Sequence, residues 1–362
     1  MPKHVAEITT PALIVDVPAL ERNIAGMARF FAEGPCRLRP HVKAHKTPEI
    51  ARRQLAAGSC VGLTCATVSE AEAVAGLSDD ILIANEVIGA PKWTRLAALA
   101  RRVRLTTAVD SPVGIEGLAH AARVAGVTIG VLVDVDVGQG RCGVPPGDAA
   151  LALARLAGAT SGLELRGVMG YEGHVQPIRE RAARAAAARA SMAALIETAD
   201  RLRGAGLPCA VVSAGGTGTF DVSGRIAGVT EIQAGSYALM DSDYGEVGVP
   251  FEQAFFVLTT VVSRPAPDRV VLDGGHKAAT KDHGPPGVVG IPDARVTAFN
   301  DEHAVLAVPA AASVAIGEQV RLRPSHTDPT MNLHDVLYAI DGTRVVDLWP
   351  IVGRGYPEHK PR

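Results

Sequence analysis

The residues that could do chemistry sit in short clusters just behind apolar runs. RPHVKAHK (39–46) carries His41, Lys43, His45 and Lys46 at the end of a β-like stretch. A lysine in that place is unusual. Desolvation disfavours its charged form, and the neutral amine can condense with a carbonyl. The plainer reading is a fringe of solvated lysines. VLVDVDVGQGRCGV (131–144) closes with a Gly-x-Gly-Arg turn, so Arg141 is either a partner for an anionic oxygen or an ordinary loop arginine. MGYEGHVQ (169–176) adds Tyr171, His174 and Gln176. There His174 is a general base or a loop histidine, and Tyr171 can be simple packing. VVSAGGTGTF (211–220) and IQAGSYALMD (232–241) are rich in Gly, Ser and Thr, the composition of backbone nests that hold anions.

A further cluster lies near the C-terminus, in RPSHTDPTMNLHD (323–335). His326 and Asp328 stand two residues apart. On an extended segment they share a face and could grip one cation. Nitrogen and oxygen donors without a thiolate suit manganese, magnesium or a similar ion better than structural zinc. His334 and Asp335 are adjacent and would splay apart on a strand.

The elements that must position these clusters alternate. Strands are expected at about 38–43, 61–66, 81–85, 104–109, 129–136, 165–171, 210–214 and 230–234. Between them run helical stretches such as SPVGIEGLAHAARVAG, several opening on Ser, Thr, Pro or Asp. The longest, 178–204, is Ala- and Arg-rich, and its arginines read as a solvated face. Eight βα units with few hairpin signals predict an α/β fold built on a (β/α)8 TIM-type barrel. An open doubly wound sheet is the alternative, but no G-x-G-x-x-G follows the first strand. Beyond about residue 245 the chain becomes β-runs split by Gly, Pro and Asp, which predicts a mainly β C-terminal domain. ALIVDV (12–17) precedes the eight strands and is expected to join it. The expected domains are therefore a barrel over 18–244 and a β domain over 1–17 and 245–362.

Barrels work at the C-terminal ends of their strands and often bind phosphate after strands seven and eight. A lysine at the first exit, an arginine at the fifth and Gly-rich cups at the last two suggest pyridoxal phosphate. No GK[ST] loop points to a nucleotide.

Composition narrows the classes. The 362 residues are 47% hydrophobic and 20% charged, a globular balance, with net charge −2 and no basic stripe for nucleic acid. No apolar run has membrane-spanning length, and the first residues do not read as a secretory signal. The five cysteines, an odd number, mostly lie in apolar runs. They are expected to be free thiols in a reducing cytoplasm.

RPHVKAHKTPEIA, VDVDVGQGRCGV, GGTGTF, EIQAGSYALMDSDY, FVLTTVVSRPAPDRVVLDGG and PSHTDPTMNLHD together resemble the D-threonine aldolase family. That family lies in the alanine-racemase-like group of pyridoxal-phosphate enzymes, which also holds D-serine dehydratases. The resemblance runs from about residue 10 to 355. It implies that Lys43 carries the cofactor and that Arg141 faces its phenolic oxygen. Tyr171 would lie beside the pyridine ring. Gly216, Thr217 and Gly218, with Gly235, Ser236 and Tyr237, would hold the phosphate. His326 and Asp328 would hold the metal; dehydratase relatives typically have cysteine at the second position, so Asp328 leans toward the aldolases. A homodimer is implied.

The activity implied is metal-dependent retro-aldol cleavage of D-β-hydroxy-α-amino acids to glycine and an aldehyde. The substrates would be of the D-threonine, D-allo-threonine or D-phenylserine type, and His174 or a hydroxide on the metal would take the β-hydroxyl proton. β-Elimination by a D-serine or D-threo-3-hydroxyaspartate dehydratase, or a 3-hydroxyaspartate aldolase, is the alternative. A cofactor carrier without turnover and an alanine racemase fit less well.

Overall fold

The computed structural model describes residues 1–355. Contacts divide the chain into two compact units. One holds Met1–Ala25, Ala44–Glu49 and the residues from Ser236 on; the other holds Gly26–Lys43 and Ile50–Gly235.

The first strand, β1 (Ala12–Asp16), belongs to the first of these. The second unit is built on eight parallel strands. These are β2 (Arg37–Leu38), β3 (Leu63–Cys65), β4 (Asp80–Glu86), β5 (Arg104–Val109), β6 (Ile129–Asp134), β7 (Leu163–Gly170), β8 (Val211–Ala214) and β9 (Glu231–Ile232). They pair in the order β2-β9-β8-β7-β6-β5-β4-β3. Parallel bridges from Leu38 to Cys60 and from His41 to Thr64 join the two ends, closing the barrel. All six residues of β6 are buried, as expected of a parallel strand covered on both faces. Helices fill the crossovers and start where the sequence signals it. In the helix Pro112–Ala125, Ser111 accepts the N–H of Gly114, Pro112 opens the first turn, and Gly126, at φ 66°, stops it in the left-handed region. At the N-terminal end of the barrel buried Arg39 donates to Asp80 at 2.8 Å and forms an ion pair with Glu231 at 2.9 Å.

Two expectations need correction. The run 38–43 is not one strand. Regular strand covers only Arg37–Leu38, parallel pairing continues singly through the N–H groups of Arg39 and His41, and Val42–Ala44 is a single 3-10 turn containing Lys43. The long helix begins at Arg181, capped by the Glu180 carboxylate on the N–H groups of Ala182 and Ala183. Its arginines are not all solvated. Arg184 is buried and donates to the carbonyls of Gly218 and Ile178 at 2.9 and 2.6 Å.

The first unit carries a nine-stranded sheet. Its further strands are β10 (Phe255–Ala266), β11 (Arg269–Leu272), β12 (Gly287–Val289), β13 (Arg295–Phe299), β14 (Ala304–Ala307), β15 (Gln319–Arg323), β16 (Val336–Asp341) and β17 (Arg344–Pro350). The main order is β13-β14-β11-β10-β1-β16-β17, with β15 pairing β10 and β12. The apolar ALIV of β1 lies between β10, antiparallel, and β16, parallel. This unit is mainly β.

Candidate functional site

At the barrel's strand ends, Lys43 is half-buried, between fully buried Val42 and nearly buried Ala44. Its backbone N–H donates to Nδ1 of buried His41 at 3.4 Å. Arg141 is exposed, with its guanidinium carbon 5.7 Å from the ring centre of Tyr171, within cation–π range. His174 is exposed, and its ring lies so close to Gly138 that a Cβ there would meet it at 3.1 Å. The Asp136 carboxylate beside this turn is held below its ordinary range, first by the N–H groups of Gly140 and Gly138 and last by the charge of His174.

The turn after β8 is braced from the turn after β7. Buried Glu172 accepts the N–H of Gly215 at 3.1 Å on one oxygen, and on the other the hydroxyls of Thr219 and Ser223, each at 2.7 Å. Gln176 accepts the N–H of Gly218 at 2.7 Å and donates to Thr219 at 2.9 Å, while the N–H of Gly216 reaches the Thr219 hydroxyl at 3.3 Å. Three N–H groups of the supposed anion nest are thus turned inward onto side chains. Thr217, in the same turn, is 1% exposed. Glycine is required by close approach: a Cβ on Gly218 would meet the Gln176 carbonyl at 2.8 Å, and one on Gly235 the His41 carbonyl at 2.5 Å. Ser236 is buried at the start of the turn Ser236–Ala238. Tyr237 is wholly buried, its ring 5.5 Å from that of Phe251.

A second group at these strand ends includes Asp134 and Cys142 of the 131–144 motif, neither of which the sequence singles out. Asp134 shares a face of β6 with Leu132, which packs with Leu82, Ala108 and Met169. Its carboxyl is pushed up to about 8, by burial first and then by the charge and hydrogen bond of Glu86; Arg141 opposes this and Asp110 adds to it. Glu86, Asp110 and Cys142 bring one polar atom each within 4.8 Å of one another. Burial, then Glu86, pushes the Cys142 thiol to about 11. None of the five cysteines forms a disulfide.

In the mainly β unit His326 and Asp328 do not lie on an extended segment, as the sequence reading supposed. His326 caps the helix Thr327–Asn332, and Asp328 stands in its first turn. A carboxylate and Pro329 are both at home there, where N–H groups lack intrahelical partners. The two still converge, with Nε2 of His326 3.7 Å from Oδ2 of Asp328. Two residues that the sequence reading passed over join them. Asp282 meets Nδ1 of His326 at 2.6 Å, and His283 stacks on the His326 ring at 4.2 Å while its own Nδ1 meets Asp243 at 2.6 Å. The adjacent Asp-His of KDHG (281–284) was the available signal. Asp282, His283 and His326 bring ligand atoms within 4.8 Å of one another. Buried Asp241, nearby, is pushed up to about 6 by burial against the N–H groups of Tyr244 and Thr327. The rival pair is engaged elsewhere: Nε2 of His334 bonds the Ala278 carbonyl at 2.8 Å, and Asp335 pairs with Arg354.

These residues fit the groups the sequence suggested. Imidazoles and carboxylates without a thiolate suit a hard or borderline divalent cation. A half-buried lysine, turns closed to any Cβ and a buried threonine suit a phosphorylated aldehyde.

Comparison with known proteins agrees with the fold. The alanine racemase N-terminal domain family matches residues 15–243, and a putative serine dehydratase domain matches 254–340. The chain has the alanine-racemase-like architecture, whose fold-type III enzymes use pyridoxal phosphate. It is 44% identical to the D-threonine aldolase of Arthrobacter sp. over 97% of this chain and 94% of that one. The crystal structure of D-threonine aldolase from Filomicrobium marinum superposes with a TM-score of 0.95 at 40% identity, covering 98% of this chain and 99% of that one. D-threo-3-hydroxyaspartate dehydratase from Delftia sp. HT23 gives 0.90 at 30% identity, covering 98% and 100%. Within its class the chain belongs to the D-threonine aldolase family, and it is a lyase of the D-β-hydroxy-amino-acid group. Among the described residues no helix is long and apolar enough to cross a membrane.

Proposed function

We propose that this lyase cleaves D-β-hydroxy-α-amino acids of the D-threonine, D-allo-threonine or D-phenylserine type to glycine and an aldehyde. The observation that carries the reading is 44% identity to a D-threonine aldolase along 97% of the chain. Asp328, where dehydratase relatives typically have cysteine, supports it. The barrel at 18–244 is taken as the cofactor-binding domain and the rest as the β domain bearing the metal ligands, in a cytoplasmic homodimer.

Lys43 would hold the cofactor's carbonyl carbon and later return a proton to Cα. Arg141 would face the phenolic oxygen and Tyr171 the ring. Gly216, Thr217, Gly218, Gly235, Ser236 and Tyr237 would line the phosphate, with Thr217 and Ser236 offering hydroxyls. His326 and Asp328 would hold a divalent cation, Mn²⁺ best and Mg²⁺ also suitable. Pyridoxal phosphate, when bound, supplies a sink for the electrons of the Cα–Cβ bond, and the cation supplies charge that makes the β-hydroxyl more acidic. His174 would take the β-hydroxyl proton.

The second reading is β-elimination, favoured by the 0.90 TM-score to a dehydratase. Protein reconstituted with pyridoxal phosphate and Mn²⁺ and given D-threonine decides between them. Acetaldehyde and glycine are expected; ammonia and 2-oxobutanoate would make it a dehydratase.

A further inference from the structure

His326 has two ring nitrogens, and only an unprotonated one can ligate a metal. Its Nδ1 lies 2.6 Å from Oδ2 of Asp282, and its Nε2 lies 3.7 Å from Oδ2 of Asp328. Asp282 also accepts the Thr280 hydroxyl at 2.9 Å on its other oxygen. An ionised carboxylate only accepts, so the shared proton belongs to the ring.

We infer that Asp282 is a positioning residue: it keeps the proton of neutral His326 on Nδ1 and so leaves the Nε2 lone pair on the side of Asp328. The opposite assignment would put a proton on Nε2, where the cation must bind. His283 supports the same geometry. Its ring lies parallel to His326 at 4.2 Å, tilted by 10°, and is tethered in turn to Asp243 at 2.6 Å. Carboxylate–histidine pairs of this kind orient metal-bound imidazoles, and their loss typically weakens binding about 10–100-fold.

The inference rests on the metal reading above, so its test has a readout that needs no metal. In metal-free protein labelled with ¹⁵N-histidine, the His326 signals are identified by their loss in His326→Gln. They are expected to show a protonated Nδ1 and a bare Nε2, and Asp282→Ala is expected to shift the proton toward Nε2. A proton on Nε2 in the parent protein, or no change in Asp282→Ala, overturns the inference. Manganese binding to cofactor-loaded protein is then followed by the EPR signal of free Mn²⁺. Asp282→Ala should bind about 10–100-fold more weakly, with its melting temperature and visible cofactor absorbance unchanged. Equal affinity overturns the role. A parent protein that binds no Mn²⁺ overturns the metal reading itself, and the tautomer result stays separate from it.

Discussion

Nε2 of His326 and Oδ2 of Asp328 face each other at 3.7 Å across the first turn of a short helix. Helical curvature achieves what the extended reading expected from a strand. The helix start also leaves Asp328 near N–H groups that favour a negative charge.

Asp328→Ala should therefore separate metal from cofactor. Catalytic efficiency on D-threonine in Mn²⁺ is expected to fall about 100-fold or more, and the visible absorbance of bound pyridoxal phosphate to persist. A chelator should act in the same way on the parent protein. Full turnover in chelator would sink the metal reading.

Glu172 is the buried brace of the Gly-rich turn after β8. Glu172→Ala strands the Gly215 N–H and the hydroxyls of Thr219 and Ser223. Unmet buried polar groups cost roughly 1–3 kcal/mol each, so a loss of about 3 kcal/mol or more is expected in urea unfolding, along with weaker cofactor retention in dialysis. Glu172→Gln keeps the shape and should lose less. An unchanged unfolding midpoint in Glu172→Ala would show that the brace is dispensable.

Asp134 should leave a signature in pH. Its carboxyl titrates at about 8 in the fold against an ordinary 3.8. Between those values the folded protein binds more protons than the unfolded chain, so this group makes stability fall as pH rises from about 4 to about 8. Asparagine cannot ionise. The melting temperature of Asp134→Asn, measured relative to the parent, is expected to climb through that window and level off above it. A flat difference across pH 5–9 would show that the fold does not raise the Asp134 carboxyl.

Much of the architecture was readable because it depends on neighbours in sequence. Apolar runs such as VLVDV and ALIV mark strands, Ser111 and Gly126 bracket a helix, and Gly-rich turns fall where β8 and β9 end.

The working geometry was less readable. By itself the sequence determined the alternation of strands and helices, the place of Lys43, Arg141 and the Gly-rich turns at strand ends, and a His-x-Asp segment in a β-rich tail. Those follow from periodicity, turn chemistry and spacing. Only the tertiary structure decided that Asp282 meets His326 across 44 residues, that Glu172 meets Ser223 across 51, and that Arg184 turns inward to Gly218 across 34. The same holds for the closeness of Asp134 and Glu86, on β6 and β4, which together with burial pushes the Asp134 carboxyl up. A carboxylate's partner, burial and proton affinity are properties of the space around it, and that space is assembled from strands and turns distant in the chain.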